Sequence, residues 1–212
     1  MKAKKIALIL IPLNIILFYL IYNSINSEVV FNKEAEIRIA ENVQKLKDLR
    51  QLQIKYKQNK GQFADNFKSL IDFLEYDSIP IVRATGETPD SLINGVQISD
   101  ELALELGLIS RDTAYVPAKE NIFDETYMES RKNNFILDLT NLINVPNSNS
   151  TYNINAGQIE KGNVTVQVFE ISANYRTVFQ GLDAENKSYN LDELLKVGSM
   201  TEASLNGNWR SE

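Results

Sequence analysis

The chain has 212 residues and a formal net charge of −6, with 43% hydrophobic and 24% charged residues. This composition is ordinary for a globular protein and argues against global disorder. The absence of cysteine and histidine excludes disulfides, thiol nucleophiles, thiolate metal sites and the commonest general base near neutral pH. Residues 1–60 carry 11 Lys and Arg against 5 Asp and Glu, whereas residues 61–212 carry 11 against 23. We expect no nucleic-acid partner, because contacts to phosphates require a basic face.

The first predicted element is an uncharged run over residues 6–27, preceded by three lysines within the first five positions. The first seventeen residues of this run contain only Pro12 and Asn14 outside the strongly apolar and aromatic types. As an α-helix they cover about 26 Å, close to the thickness of the hydrocarbon layer of a bilayer. Basic residues before such a helix keep the N-terminus in the cytoplasm. The sequence therefore predicts a cytoplasmic tail over 1–5, a transmembrane anchor over 6–27 in the inner membrane, and a periplasmic remainder.

A cleaved signal peptide is the alternative interpretation of this run. Its apolar region would span about 7–15 residues and end at a pair of small residues. Here the run is longer and residues 22–27 offer no such pair, so we expect the anchor to be retained. Pro12 removes a backbone donor and is a potential kink. Asn14 either bonds a partner helix or is tolerated without one.

Residues 28–60 are predicted to form an amphipathic helical stem that continues the anchor. Apolar side chains recur every three or four positions, at Ile39, Val43, Leu46, Leu49, Leu52 and Tyr56. Acidic residues dominate the start and basic residues the end, which complements the helix dipole. We therefore interpret the basic run as structural, the alternative being a patch for anionic lipid or a polyanion. The stripe covers fewer than three heptads, which favours packing against the head over a coiled coil with a second copy.

Residues 61–212 are predicted to form the head, beginning at the helix-ending glycine Gly61. Short helices are expected after Asp65 or Asn66 and over residues 99–106. Strands are expected over 79–83, 108–109, 113–116, 152–159 and 164–171, the last two forming a hairpin connected between Gly157 and Gly162. An apolar patch covers 191–197. The fold class that follows is α+β, with a small and mostly antiparallel sheet.

The stem and the segment after it carry a first resemblance. Tyr56, the run Gly61-Gln62-Phe63, Phe67 and Leu70 follow the long helix in an order that is similar to type IV pilins and pseudopilins. Those proteins have an N-terminal helix that lies half in the membrane and half on a small sheet. This chain departs from them in having neither a prepilin-type cleavage site nor a Glu inside the apolar run. The resemblance implies a pilin-like shape.

Further segments resemble a group of uncharacterised single-pass envelope proteins of the Bacteroidota. They are Gly107-Leu108-Ile109, residues 111–117, Val168-Phe169-Glu170, residues 195–199 and Asn208-Trp209. This resemblance implies placement in the cell envelope and no particular activity. Ser78, Ser91 and Thr113 each lie between an Asp and an apolar residue, a pattern similar to O-glycosylation acceptors in those bacteria.

The sequence contains no P-loop, G-x-G-x-x-G, H-E-x-x-H, C-x-x-C or G-x-S-x-G motif. Carboxylates remain, and a pair of them can hydrolyse a glycosidic bond. Acidic residues cluster at Asp124, Glu125 and Glu129 and again at Asp183 and Glu185, without the alternation of a calcium loop. We predict no catalytic residue, no cofactor and no metal.

Trp209 is the only tryptophan. It is interpreted either as an exposed protein contact or as the side chain that docks the tail on the core.

The expected function is that of a membrane-anchored periplasmic interaction or scaffold protein of the cell envelope, without catalytic activity. Its expected partners are the membrane and either other envelope proteins or further copies of the chain. Two alternatives remain open. One is a pilin-like or pseudopilin-like structural subunit, and the other is a carboxylate-based glycan hydrolase.

Overall fold

The computed structural model describes residues 2–86, 99–131, 135–185 and 187–209, and for residues 2–9 and 84 the backbone alone. The chain divides into two compact units. Unit 1 comprises Met1–Arg50 and Asn133–Glu212, and unit 2 comprises Gln51–Lys132. The stretch 61–212, predicted as one head, thus contributes residues to both units.

A single helix, α1, covers Lys2–Lys60 and has 59 residues, which corresponds to a length of about 88 Å. Pro12 lies inside it without ending it. The helix ends at Gly61, whose φ of 81° closes the last turn through a bond of 2.8 Å from its N–H to the carbonyl of Lys57. The predicted anchor and stem are therefore one continuous helix, as expected from a sequence without Gly or Pro between residues 13 and 60.

The side chains of α1 differ between its two halves. From Leu10 to Ile25 they are exposed. Among the described residues α1 is the one helix long and apolar enough to cross a membrane, judged by length and composition. Further along, Val43, Leu46 and Leu49 of the predicted apolar stripe are buried, so the chain itself covers this part of the stripe.

Unit 2 contains short helices and a two-stranded sheet. After α1 these are α2 Phe67–Tyr76, β1 Ser78–Thr85, α3 Asp100–Glu105, β2 Ser110–Pro117, α4 Ala118–Ile122 and α5 Glu125–Ser130. Strands β1 and β2 pair antiparallel, with Ser78 opposite Pro117 and Thr85 opposite Ser110. The predicted helices that became α2 and α3 are confirmed, and each has an N-cap, Asn66 and Ser99 respectively.

The prediction of a strand over residues 108–109 is wrong. The N–H groups of Leu108 and Ile109 both donate to the carbonyl of Ala103, at 2.9 and 3.3 Å. Gly107, with a φ of 71°, turns the chain so that these two residues close the end of α3 instead of entering a ladder. β2 begins only at Ser110.

Unit 1 adds to α1 a three-stranded antiparallel sheet and one short helix. These are β3 Asn153–Lys161, β4 Val164–Asn174, α6 Tyr175–Val178 and β5 Leu194–Gly198, with strand order β3-β4-β5. The predicted hairpin is confirmed, but Gly157 lies within β3 and not in the connection. The turn consists of Gly162, with a φ of 64°, and Asn163, because Lys161 pairs directly with Val164.

The core of unit 1 lies on one face of this sheet and on one face of α1. Its buried apolar side chains include Phe169, Ile171 and Ala173 of β4, Leu195 and Val197 of β5, and Val43, Leu46 and Leu49 of α1. Each fully buried side chain of this size contributes about 1.5–3 kcal/mol of transfer free energy. The architecture is thus α+β, with a long N-terminal helix and small antiparallel sheets.

Candidate functional site

A half-buried lysine, Lys187, marks the place where α1 passes from its exposed apolar stretch to its packed stretch. The Lys187 side chain is 11% exposed, and its Nζ lies 3.0 Å from Glu28 Oε2. The same Nζ donates to Ser27 Oγ at 3.2 Å and lies 5.7 Å from the centre of the Phe31 ring. These three contacts compensate the ammonium for the hydration that it loses on partial burial.

The Phe31 ring belongs to a group of four aromatic rings that contact one another. The Phe31 ring meets Phe179 edge to face at 5.6 Å and Tyr189 at 6.1 Å. Phe179 stacks on Tyr175 at 5.4 Å and lies 5.0 Å from Tyr189. Burial raises the pKa of the Tyr175 hydroxyl. We call these four rings, with Ser27, Glu28 and Lys187, the Lys187 cluster.

Local structure brings this part of the chain back to α1. Asn174 caps α6 by accepting a bond of 2.8 Å from the N–H of Thr177. Gly181, with a φ of 84°, then turns the chain. The N–H of Arg176 donates to the carbonyl of Leu191 at 2.9 Å, which closes the excursion before β5 begins. The residues between α6 and β5 therefore form a loop whose ends are held together.

A cavity of about 260 Å³ lies between this loop and α1. It is lined by Asn23, Asn26, Ser27, Val30, Phe31, Glu34, Leu182 and Asp183. The lining thus contains amide and hydroxyl groups, apolar side chains and two exposed carboxylates, those of Glu34 and Asp183. The hydroxyl in this lining, that of Ser27, accepts from Lys187 Nζ at 3.2 Å, and the other lining side chains are amides, carboxylates and apolar groups.

Buried polar side chains fix α1 within unit 1 further along the helix. The Tyr152 hydroxyl donates to Asn42 Oδ1 at 2.6 Å, and both residues are buried. Burial raises the pKa of Tyr152, with smaller contributions from the charges of Glu41 and Asp48. Such a hydrogen bond orients the helix because either group would be unsatisfied without the other.

Two basic side chains of the stem bind main-chain carbonyls in unit 1. Lys45 Nζ donates to the carbonyls of Asn141 and Asn144 at 2.7 and 3.0 Å. Burial lowers the pKa of Lys45, and nearby carboxylates partly offset this effect. Arg38 donates to the carbonyl of Gln180 at 2.6 Å. These contacts agree with the structural interpretation of the stem's basic residues.

The two polar positions of the apolar run lie on exposed helix. Asn14 donates from its side-chain amide to the carbonyl of Leu10 at 2.8 Å, one turn earlier. The amide is therefore bonded within its own helix. Pro12 lies in the same stretch of uninterrupted helix. A contact from either residue to a partner helix stays a prediction.

Two of the three proposed glycosylation positions share one face of the β1–β2 ribbon. Ser78 begins β1 and Thr113 lies opposite Val82, so their side chains point to the same side of the pleat. Both residues are exposed. Ser91 lies outside the residues that the structure describes. Modification at these positions stays a prediction.

The tail is attached to β5 by the residues before Trp209. Gly207 forms a bridge with Val197, and Asn208 accepts from the N–H of Lys196 at 2.9 Å and donates to the carbonyl of Leu194 at 2.6 Å. The half-buried Trp209 ring covers Gly207 so closely that a Cβ there would overlap it. The ring is therefore part of the docked tail, and a contact with another protein stays a prediction.

The acidic clusters do not form a metal site in the described parts of the chain, where no three of His, Cys, Asp and Glu are grouped to hold an ion. Asp124 accepts from the N–H of Tyr127 at 2.8 Å and so caps α5. Asp183 lines the cavity beside α1.

The Lys187 cluster could not be found from sequence spacing. Lys187 and Ser27 are separated by 160 positions, and neither carries a motif. The aromatic residues at 175, 179 and 189 are the one sequence signal, and they fall in a stretch without helical or strand periodicity.

Comparison with protein-family models, with curated proteins and with solved structures gave no significant match for the chain.

Proposed function

We propose that the chain is a single-pass inner-membrane protein with a cytoplasmic N-terminus, whose residues 28–212 form a non-catalytic periplasmic scaffold. The observation that supports this most is the continuity of α1. Its side chains from Leu10 to Ile25 are exposed and largely apolar, and without an intervening break the same helix continues to Val43, Leu46 and Leu49, which are buried in the chain's own fold. An exposed apolar stretch of this length is stable in a bilayer and unstable in water.

The Lys187 cluster supports a fixed connection between anchor and scaffold. A flexible linker would let the periplasmic part reorient freely. Here the ion pair of Glu28 with Lys187 and the aromatic contacts of Phe31 hold the loop on the first turns after the apolar run. A scaffold of this kind presents its surface at a set height and angle to the membrane.

Membrane insertion and topology are tested on the full chain. We expect it to stay in the membrane pellet after carbonate extraction, and a C-terminal alkaline phosphatase fusion to be active. Leu17→Arg places a charge in the exposed apolar stretch, costs about 2.5–3.5 kcal/mol of insertion free energy, and should release the chain. Leu17→Ile is the matched control and should leave the chain in the membrane pellet. A mature protein that begins after residue 27 would contradict the anchor.

A pilin-like structural subunit is the second candidate. The observation that favours it is the division of α1 into an exposed apolar stretch and a stretch with a buried apolar stripe, in a chain that also has a small antiparallel sheet. Purification of native complexes in mild detergent separates the two functions. Discrete complexes with other envelope proteins support the scaffold, whereas filaments or open-ended oligomers of the chain alone support the structural subunit.

A further inference from the structure

We propose that the cavity between α1 and the loop after α6 binds the ammonium-bearing headgroup of a membrane phospholipid. This inference rests on the proposed membrane anchoring and adds the identity of a ligand. The cavity extends along α1 from Asn23 to Glu34, a rise of about 16 Å. Its lower end is therefore level with the last residues of the anchor, and its upper end is level with the headgroup layer.

From residue 6 to residue 32 α1 carries a single charged side chain, that of Glu28, which is 39% exposed. Val29 and Val30 are 60% and 54% exposed, so the apolar surface continues beyond the predicted end of the anchor. Glu28, the first acidic residue of α1, is paired with Lys187. The next charged residue along the helix is Lys33. Acyl chains can thus lie against α1 directly below the cavity.

The charges at the cavity select a cationic group. Glu34 and Asp183 are exposed carboxylates in its lining, and among the residues that the structure describes no Lys or Arg lines it. Lys187, the basic residue closest in the loop, is bonded to Glu28 and Ser27. An ammonium is attracted to two carboxylates at the edge of a low-dielectric layer, whereas an anionic headgroup is repelled.

The remaining lining suits the rest of such a headgroup. The side-chain amides of Asn23 and Asn26 can donate to phosphate and ester oxygens. Val30 and Leu182 provide apolar contact. The volume of about 260 Å³ is below the roughly 300–1,000 Å³ of sites that enclose a drug-sized ligand. The cavity therefore accepts a headgroup, while the acyl chains stay in the bilayer.

The test uses the full chain in membranes that are first washed with carbonate. The chain is then solubilised in detergent and reconstituted in nanodiscs of phosphatidylethanolamine and phosphatidylglycerol in equal amounts. Native mass spectrometry after release measures which lipid is retained. We expect phosphatidylethanolamine to be enriched at least fivefold. The double variant Glu34→Gln/Asp183→Asn should lower this enrichment below twofold. The matched control is Glu36→Gln/Glu185→Gln, which removes the same charge from exposed residues outside the cavity lining and should keep the enrichment.

Three results would overturn the headgroup site. They are equal retention of both lipids, unchanged enrichment in the cavity variant, and an equal loss in the control variant. In each case a chain that resists carbonate extraction still satisfies the proposed anchoring. A chain that carbonate releases would refute the anchoring itself, and with it this inference.

Discussion

Replacing Tyr152 with phenylalanine tests the packing of α1 in unit 1. The substitution removes only the hydroxyl that donates to Asn42 Oδ1 at 2.6 Å. Since both residues are buried, Asn42 is left with an acceptor that water cannot reach. We expect the free energy of unfolding to fall by about 1–2 kcal/mol at pH 8. With a urea m-value of ~2 kcal/mol/M, the midpoint should move down by roughly 0.5–1 M.

The stability of the same variant should depend less on alkaline pH than the stability of the native chain. Burial raises the pKa of Tyr152 above that of an unfolded tyrosine, which is about 10. A group with a raised folded pKa contributes stability that is fully present below the unfolded pKa and is lost as pH rises above it. At pH 11, with the buried hydroxyl still protonated, the free energy of unfolding of the native chain should be lower by about 1.4 kcal/mol because of this group. The Tyr152→Phe variant lacks this hydroxyl and therefore does not show this decrease in stability.

The assay is urea unfolding of the detergent-solubilised chain at pH 8 and pH 11. The difference in the free energy of unfolding between the native chain and Tyr152→Phe should decrease from about 1–2 kcal/mol at pH 8 to well below 1 kcal/mol at pH 11. The control is Tyr115→Phe, at a tyrosine that is 73% exposed, and it should show no difference at either pH. A Tyr152 effect that stays constant with pH would refute the role given to burial.

Three further predictions concern other parts of the chain. Gly198→Ala should lower the free energy of unfolding by about 2–3 kcal/mol in thermal unfolding, because Gly198 has a φ of 76° and a Cβ there would overlap the carbonyl of Phe169. The control Gly162→Ala, at a φ of 64° with open space around it, should lower it by only about 1 kcal/mol. Equal losses in the two variants would contradict the overlap. Asn14→Leu should leave crosslinking between membrane helices unchanged, since the Asn14 amide already bonds within α1, and a lost crosslink would reveal a partner helix. Intact-mass measurement should show hexose-containing additions that disappear on substitution of the exposed Ser78 and Thr113 by alanine, whereas an unmodified mass would exclude both sites.

Much of the secondary structure followed from local patterns. The 3.6-residue periodicity and the lack of Gly and Pro predicted the stem of α1, and Gly61 predicted its end. The caps of α2 and α3 were visible because an Asn or Ser side chain that accepts from the helix's first N–H groups acts over three residues. Such signals need no knowledge of the rest of the chain.

The errors arose where a distant or competing bond decided the structure. Leu108 and Ile109 have strand-like side chains, but the carbonyl of Ala103 accepts from both N–H groups, so they complete α3. Gly157 looked like part of a turn, yet it stays in β3 because its partner Val168 continues the ladder. Short apolar runs and single glycines fit either structure until the pairing is known.

The candidate site depended still more on the tertiary structure. Sequence reasoning selected positions with a local motif, such as Asn14 and Trp209, and these lie away from the Lys187 cluster. The cluster consists of residues that are ordinary in isolation. Lys187 becomes notable because the fold places it beside Ser27 and Glu28 and bonds its ammonium to both side chains.

The amino-acid sequence by itself therefore determined a long helix, apolar at its start and amphipathic at its end, because both properties repeat within a few residues. It also determined the α+β class and excluded cysteine and histidine chemistry. Only the tertiary structure decided which side chains of α1 are buried, that Glu28 pairs with Lys187, and that a cavity opens beside them. Those features depend on pairs such as Ser27 and Lys187, 160 positions apart, and a pair at that distance leaves no periodicity or spacing in the chain.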